Sequence, residues 1–135
     1  TALENAVIDV AGWTDDRGIP SAFQIRKLVI PRQLWAVADK ILYSPSQTLS
    51  ANNDLNAVNR TNAVPEGWSI NHRFTDADAW FLLTDAPNAM KFFNRLGYST
   101  KFEGDFETGN VRYKARERYS FGWSDWRGVY GTAGA

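Results

Sequence analysis

The stretch from Val111 to Trp123 constrains this chain more than any other. Val111, Tyr113, Ala115, Glu117, Tyr119, Phe121 and Trp123 alternate there with Arg112, Lys114, Arg116, Arg118, Ser120 and Gly122. Successive side chains on a strand point to opposite faces, so this period of two predicts one long strand with an apolar face and a basic face. At roughly 3.3 Å per residue it spans about 43 Å, where common strands run to about 5–6 residues. A compact domain of 135 residues has a radius of gyration near ~14 Å and a diameter of about 37 Å. The strand must therefore cross the whole domain or project from it. Projecting Tyr, Phe and Trp side chains require a cover, supplied by another subunit or by a further part of the parent chain. The alternative is a strand broken by a bulge at Glu117 inside an ordinary sheet.

The remainder of the chain mixes helical and strand patterns, an α+β composition. Thr1-Ala2-Leu3-Glu4 reads as a capping box opening a helix over Leu3–Asp15, with Leu3, Ala6, Val7, Val10 and Trp13 on one stripe. Gly18 suits its left-handed cap. Arg26–Ile30 is a short strand, and Gln33–Tyr43 a second helix carrying Leu34, Trp35, Ala38, Ile41 and Leu42. Gln47–Asn62 reads as a polar loop with one helical turn capped by Asn53 or Asp54. Trp68–Ile70, Ala79–Leu83 and Met90–Asn94 are further strands, the last ended by Gly97. Glu103–Asn110 is an acidic, turn-rich stretch and Ser124–Gly128 a turn before Val129-Tyr130. The chain opens on Thr1 without Met, which points to a processed product or a piece of a longer protein.

Composition narrows the function classes. Fifteen basic and fifteen acidic residues give a net charge of +0, whereas free nucleic-acid binders carry a basic excess. Cys is absent, so neither disulfides nor thiolate metal sites exist. No apolar run has the length of a membrane span.

Catalytic chemistry finds little footing. The lone His72 lies in Asn71-His72-Arg73-Phe74, with no metal-ligand spacing or nucleophile motif beside it. Asp15 with Asp16, Asp76 with Asp78, and Glu103 with Asp105 and Glu107 could serve as paired carboxylates. Each lies beside Gly, Pro or a helix end, where Asp makes turns and caps. Asp105, Glu107 and Asn110 could contact calcium, but the Gly and distal Glu of an EF-hand loop are missing. No catalytic residue, cofactor or metal site is therefore assigned. Trp13, Trp35 and Trp80 fall at core positions, while Trp68, Trp123 and Trp126 are placed for exposure. Exposed Trp with a carboxylate pair makes a carbohydrate-binding module or small glycosidase the rival reading. The basic face of Arg112, Lys114, Arg116 and Arg118 is by default the solvated side of a half-buried strand. It could instead meet acidic loops of a neighbouring copy, or nucleic acid.

Ala79–Asn88 (AWFLLTDAPN), Phe102–Asn110 (FEGDFETGN) and Arg118–Gly131 (RYSFGWSDWRGVYG) together resemble the C-terminal region of tailed-bacteriophage major capsid proteins. Thr14–Gly18, Leu28–Pro31 and Ala51–Asn56 fit the same pattern, so the resemblance covers nearly the whole chain. It implies the Hong Kong 97-like capsid fold, with 1–105 corresponding to the axial domain and 106–135 to a strand and tail returning to a largely absent peripheral domain. It also implies a structural, non-enzymatic subunit of a virion capsid, assembled in the bacterial host cytoplasm. The implied partners are copies of itself in pentamers and hexamers, packaged DNA met non-specifically, and a scaffolding protein as a further candidate. Arg112, Lys114, Arg116, Arg118, Tyr119, Phe121, Trp123 and Trp126 are the expected contacts between subunits or domains. The N-terminal arm, extended loop and spine helix of the family have no counterpart here, which marks the sequence as a C-terminal part.

Overall fold

The computed structural model describes residues 2–47, 54–132 and 134. In chain order the elements are α1 (Ala2–Ala11), β1 (Ile25–Ile30), a 3-10 turn (Arg32–Leu34), α2 (Trp35–Tyr43), α3 (Ala57–Arg60), β2 (Trp68–Ile70) and β3 (Trp80–Thr84). β4 (Met90–Gly104), β5 (Val111–Trp123), a second 3-10 turn (Trp126–Gly128) and β6 (Val129–Thr132) follow. They divide into two compact units. The first is Thr1–Pro87 with Trp126–Ala135, and the second is Asn88–Asp125.

The first unit is a mixed four-stranded sheet, in the order β2-β1-β3-β6, with the helices packed on it. β1 runs parallel to β2 and antiparallel to β3, and β3 runs antiparallel to β6. Register places Leu28 beside Leu82 and Leu82 beside Tyr130, so one face carries an apolar row. Leu3, Ala6 and Val10 of α1 and Ala38 and Leu42 of α2 close over that row, and Leu82 is 0 % exposed. Burying a side chain of this size contributes about 1.5–3 kcal/mol.

Helix α1 stops at Ala11, short of the expected Asp15. Gly12 follows, donating its N–H to the Ile8 and Asp9 carbonyls, and glycine in a helix interior costs about 1 kcal/mol relative to alanine. Beyond it the chain reverses: Thr14 bridges Pro20, Asp15 N–H donates to Ile19, and Gly18 (φ 77°) makes the turn rather than a helix cap. The capping box at Thr1 and the proposed cap at Asn53 lie outside the described residues, as do Ala51 and Asn52. The cap of α3 is Asn56, not Asp54. Its Oδ1 accepts from Val58 N (3.1 Å) and Asn59 N (3.4 Å). Its Nδ2 donates to the Ile41 (2.7 Å) and Ser44 (3.0 Å) carbonyls at the end of α2. Asn59 Nδ2 adds a bond to the Leu42 carbonyl at 2.8 Å. One polar side chain, 8 % exposed, thus satisfies orphan groups at two helix ends.

Trp35 was expected in the core but is 53 % exposed. Trp35 lies on the same helical stripe as the buried Ala38 and Leu42, but it is the first residue of α2, a turn or more ahead of both, where the ring is left open. Trp13 and Trp80 do pack against the core cluster, as does Trp68, which is half-buried rather than exposed.

The second unit is a sheet of its own, the two-stranded ribbon β4–β5. The expected β5 forms over its full length. The strand expected to end before Gly97 instead runs 15 residues, from Met90 to Gly104.

Candidate assembly surface

The ribbon is built by antiparallel pairing from Met90 opposite Trp123 to Gly104 opposite Val111. Two irregularities interrupt it, between Asn94 and Leu96 and between Leu96 and Ser99. Five residue steps from Asn94 to Ser99 face only three from Tyr119 to Arg116. The extra residues therefore belong to β4, and the break considered at Glu117 lies on the strand facing it. Parity explains why: each inserted residue re-aims the side chains that follow, while β5 keeps its alternation.

Asp105 organises the tip. Its N–H donates to the Asn110 carbonyl (2.8 Å) and its own carbonyl accepts from Gly109 N (2.9 Å). Its carboxylate accepts from Glu107 N (3.2 Å) and Thr108 Oγ1 (2.9 Å), and Arg112 stands 3.6 Å away. Gly109 adopts φ 67°, a conformation natural to glycine. The tip carboxylate is thus occupied by the turn's own donors.

One ribbon face is aromatic. Register sets Met90 beside Trp123, Phe92 beside Phe121 and Asn94 beside Tyr119. Phe92 lies 5.3 Å from Phe121 and 5.8 Å from Tyr119 between ring centroids, and Tyr119 lies 5.5 Å from Phe121. Phe102 opposite Tyr113 forms a second aromatic position toward the tip. Tyr98 hydrogen-bonds Tyr113, and that bond, with lesser contributions from desolvation and the Glu117 charge, raises the Tyr98 phenol above its ordinary pKa. The stripe is bare: Trp123 is 80 % exposed and Phe121 73 %.

The other face is basic. Arg112, Lys114, Arg116 and Arg118 project from it, with Lys101 directly opposite Lys114 and Glu103 opposite Arg112. Every residue of β5 except Gly122 is exposed. The strand is thus not half-buried as expected; both of its faces are open.

Of the eight expected contact residues, the ribbon gathers seven, three on the aromatic face and four on the basic one. Trp126 stands apart in the first unit. Its ring meets Trp13 edge-on at 5.2 Å, and the Arg127 guanidinium lies 5.0 Å above it while bonding Asp16 Oδ1 at 2.9 Å. Sequence reasoning missed the β4 contributors Met90, Phe92, Phe102 and Lys101. The one signal for them was the alternation of Met90, Phe92 and Asn94, which the bulges cut short.

The carboxylate pairs do not converge on a shared site. Asp16 pairs with Arg127, and Asp76 Oδ1 accepts from Asp78 N at 3.2 Å in a turn. Hydrogen bonding from Asp78, first its side chain and then its backbone, holds the Asp76 carboxyl below its ordinary pKa. His72 is exposed in the turn after β2. Among the described residues, no group of three His, Cys, Asp or Glu is placed to hold a metal ion, and no helix is long and apolar enough to cross a membrane. A cavity of about 200 Å³ beneath α2 is lined by apolar residues including Leu3, Leu28, Leu34, Val37, Ile41 and Trp80. That lining offers no group for proton transfer.

No curated protein and no solved structure matches the chain. A family model does, over residues 2–132, and it describes a phage capsid protein. Such a family points to a structural role in the virion. Because that match spans nearly the full length, the chain belongs to the phage capsid protein family.

Proposed function

We propose that this chain is a non-enzymatic subunit of a phage head that associates with its own copies into pentamers and hexamers closing an icosahedral shell around phage DNA. The supporting observation is the bare aromatic stripe of Phe92, Tyr119, Phe121 and Trp123 on a strand pair about 43 Å long. An isolated two-stranded ribbon is marginal in water, and an apolar stripe of this extent calls for a cover. A second copy is the cover that a capsid family supplies.

In this reading the chain takes the Hong Kong 97-like fold. Residues 1–105 act as the axial domain, and 106–135 as the strand and tail returning toward a peripheral domain. The α+β composition and the family support the assignment. Assembly takes place in the bacterial cytoplasm, with a scaffolding protein as a further partner.

Sedimentation velocity and electron microscopy of the purified chain test the proposal. Wild type should form capsomer-sized or larger species, and Phe121→Ser/Trp123→Ser should remain monomeric with an unchanged circular dichroism spectrum. A wild-type chain that stays monomeric at every concentration overturns it.

A further inference from the structure

We infer that the basic face of the β4–β5 ribbon is a binding surface for the phosphate backbone of DNA, engaged without regard to base sequence. Arg112, Lys114, Arg116 and Arg118 occupy alternate positions of β5, and Lys101 extends the group across the ribbon. All five are exposed. Arg112 reaches Asp105 at 3.6 Å; among the described residues, Lys101, Lys114, Arg116 and Arg118 form no ion pair.

The net charge of zero conceals this surface. Residues 88–125 hold seven Lys and Arg against five Asp and Glu, and the rest of the chain holds eight against ten. Within the ribbon the sorting goes further. Glu117 shares the aromatic face, and Asp105 and Glu107 lie in the tip, which leaves Glu103 as the carboxylate at a paired position of the basic face. A face that was merely solvated would gain from mixed signs, since like charges directly opposite on a strand pair are destabilising. Lys101 against Lys114 is such a pair, and a bound polyanion removes its cost.

Geometry favours a line of phosphates over a protein carboxylate cluster. Cations two residues apart on a strand are separated by about 7 Å, so the four on β5 form a row roughly 20 Å long. Along the chain the acidic residues of the first unit come singly or in twos, as in Asp15-Asp16 and Asp76-Ala77-Asp78, with no strand carrying them at alternate positions as β5 carries its cations. An evenly spaced cation row matches the repeating backbone rather than any one base edge, and contacts to phosphate position a protein on the duplex without carrying sequence information.

The inference takes from the proposed shell only the presence of DNA, and its test requires no assembly. Fluorescence anisotropy of the whole chain with a short labelled duplex, over a salt series, should give a log–log slope of roughly −4 for four to five phosphate contacts. Lys114→Glu/Arg116→Glu should weaken binding at least ~10-fold at low salt and flatten the slope by about 2. Lys40→Glu/Arg32→Glu makes the same change in net charge away from the ribbon and should leave binding intact. Duplexes of all A·T and all G·C should bind equally. Absence of salt-dependent binding, an equal loss in the control pair, or a G·C preference overturns the inference. So does self-association, without DNA binding, that the ribbon reversal abolishes, because the partner is then the acidic surface of another copy. DNA binding by a chain that never forms shells would sink the proposed function and leave this inference standing.

Discussion

Lys101 and Lys114 face each other directly across the ribbon, two ammonium groups at one cross-strand position. Lys101→Glu converts that repulsion into an opposite-charge pair, worth about 0.2–1 kcal/mol. Slower amide hydrogen exchange around this position is the expected result, together with weaker binding of DNA. Unchanged exchange would show that solvent already screens the pair completely.

Asn56 joins the end of α2 to the start of α3, and its loss should be felt at both. Asn56→Ala removes a cap and leaves the Ile41 and Ser44 carbonyls without their donor, a cost of about 2 kcal/mol. Asn56→Asp keeps the cap acceptor but sets a carboxylate against those carbonyls, so it should destabilise as well. Urea unfolding of the three proteins, compared at equal slope, measures both effects.

How far the sequence can be read depends on which force shapes each segment. β5 is legible because its alternation is unbroken from Val111 to Trp123. β4 is legible only over Met90–Asn94, because the two inserted residues and Gly97 erase the period beyond it; the rest of the strand is held by pairing with β5, a non-local effect. The aromatic face was therefore half visible, with Tyr119 and Phe121 in view and the pairing that sets Phe92 beside Phe121 hidden. The cap of α3 was misplaced for a similar reason. Asn56 is selected by carbonyls on a separate helix, which no local pattern carries. Trp126 was legible as an exposed residue in a turn, and it is 63 % exposed, but its edge-on contact with Trp13 depends on the folded first unit and has no local signal.

Gly131 allows β6 to lie close on β3. A Cβ there would meet the Trp80 carbonyl oxygen, with the Phe81 Cα at 2.9 Å. Gly131→Ala should cost about 1–3 kcal/mol through overpacking. Loss of exchange protection in Val129–Thr132, ahead of the rest of the sheet, would locate the damage.

Alkaline pH should weaken the first unit through Tyr130. Its hydroxyl donates to Asp9 Oδ2 at 3.0 Å, and that bond, then desolvation and the Asp9 charge, raises the phenol above its ordinary pKa. A group whose pKa is raised on folding binds its proton more tightly in the folded state. Its stabilisation is full below the unfolded value near ~10 and is lost as pH rises through the folded value. Tyr98 shifts in the same direction in the ribbon. Chemical denaturation across that range should show a fall in stability that is smaller in Tyr130→Phe. An identical fall in both proteins would remove Tyr130 as its source.

The ribbon is inserted between β3 and β6, two strands that already pair with each other in the sheet. Its base is tied by Ser124 N–H donating to the Ala89 carbonyl at 2.9 Å. Adding or removing two residues on each strand preserves which side chains share a face, whereas a single-residue change inverts them. The length of the ribbon can therefore change only in increments of about 7 Å if its two faces are to be kept. One core can thus carry ribbons of different length.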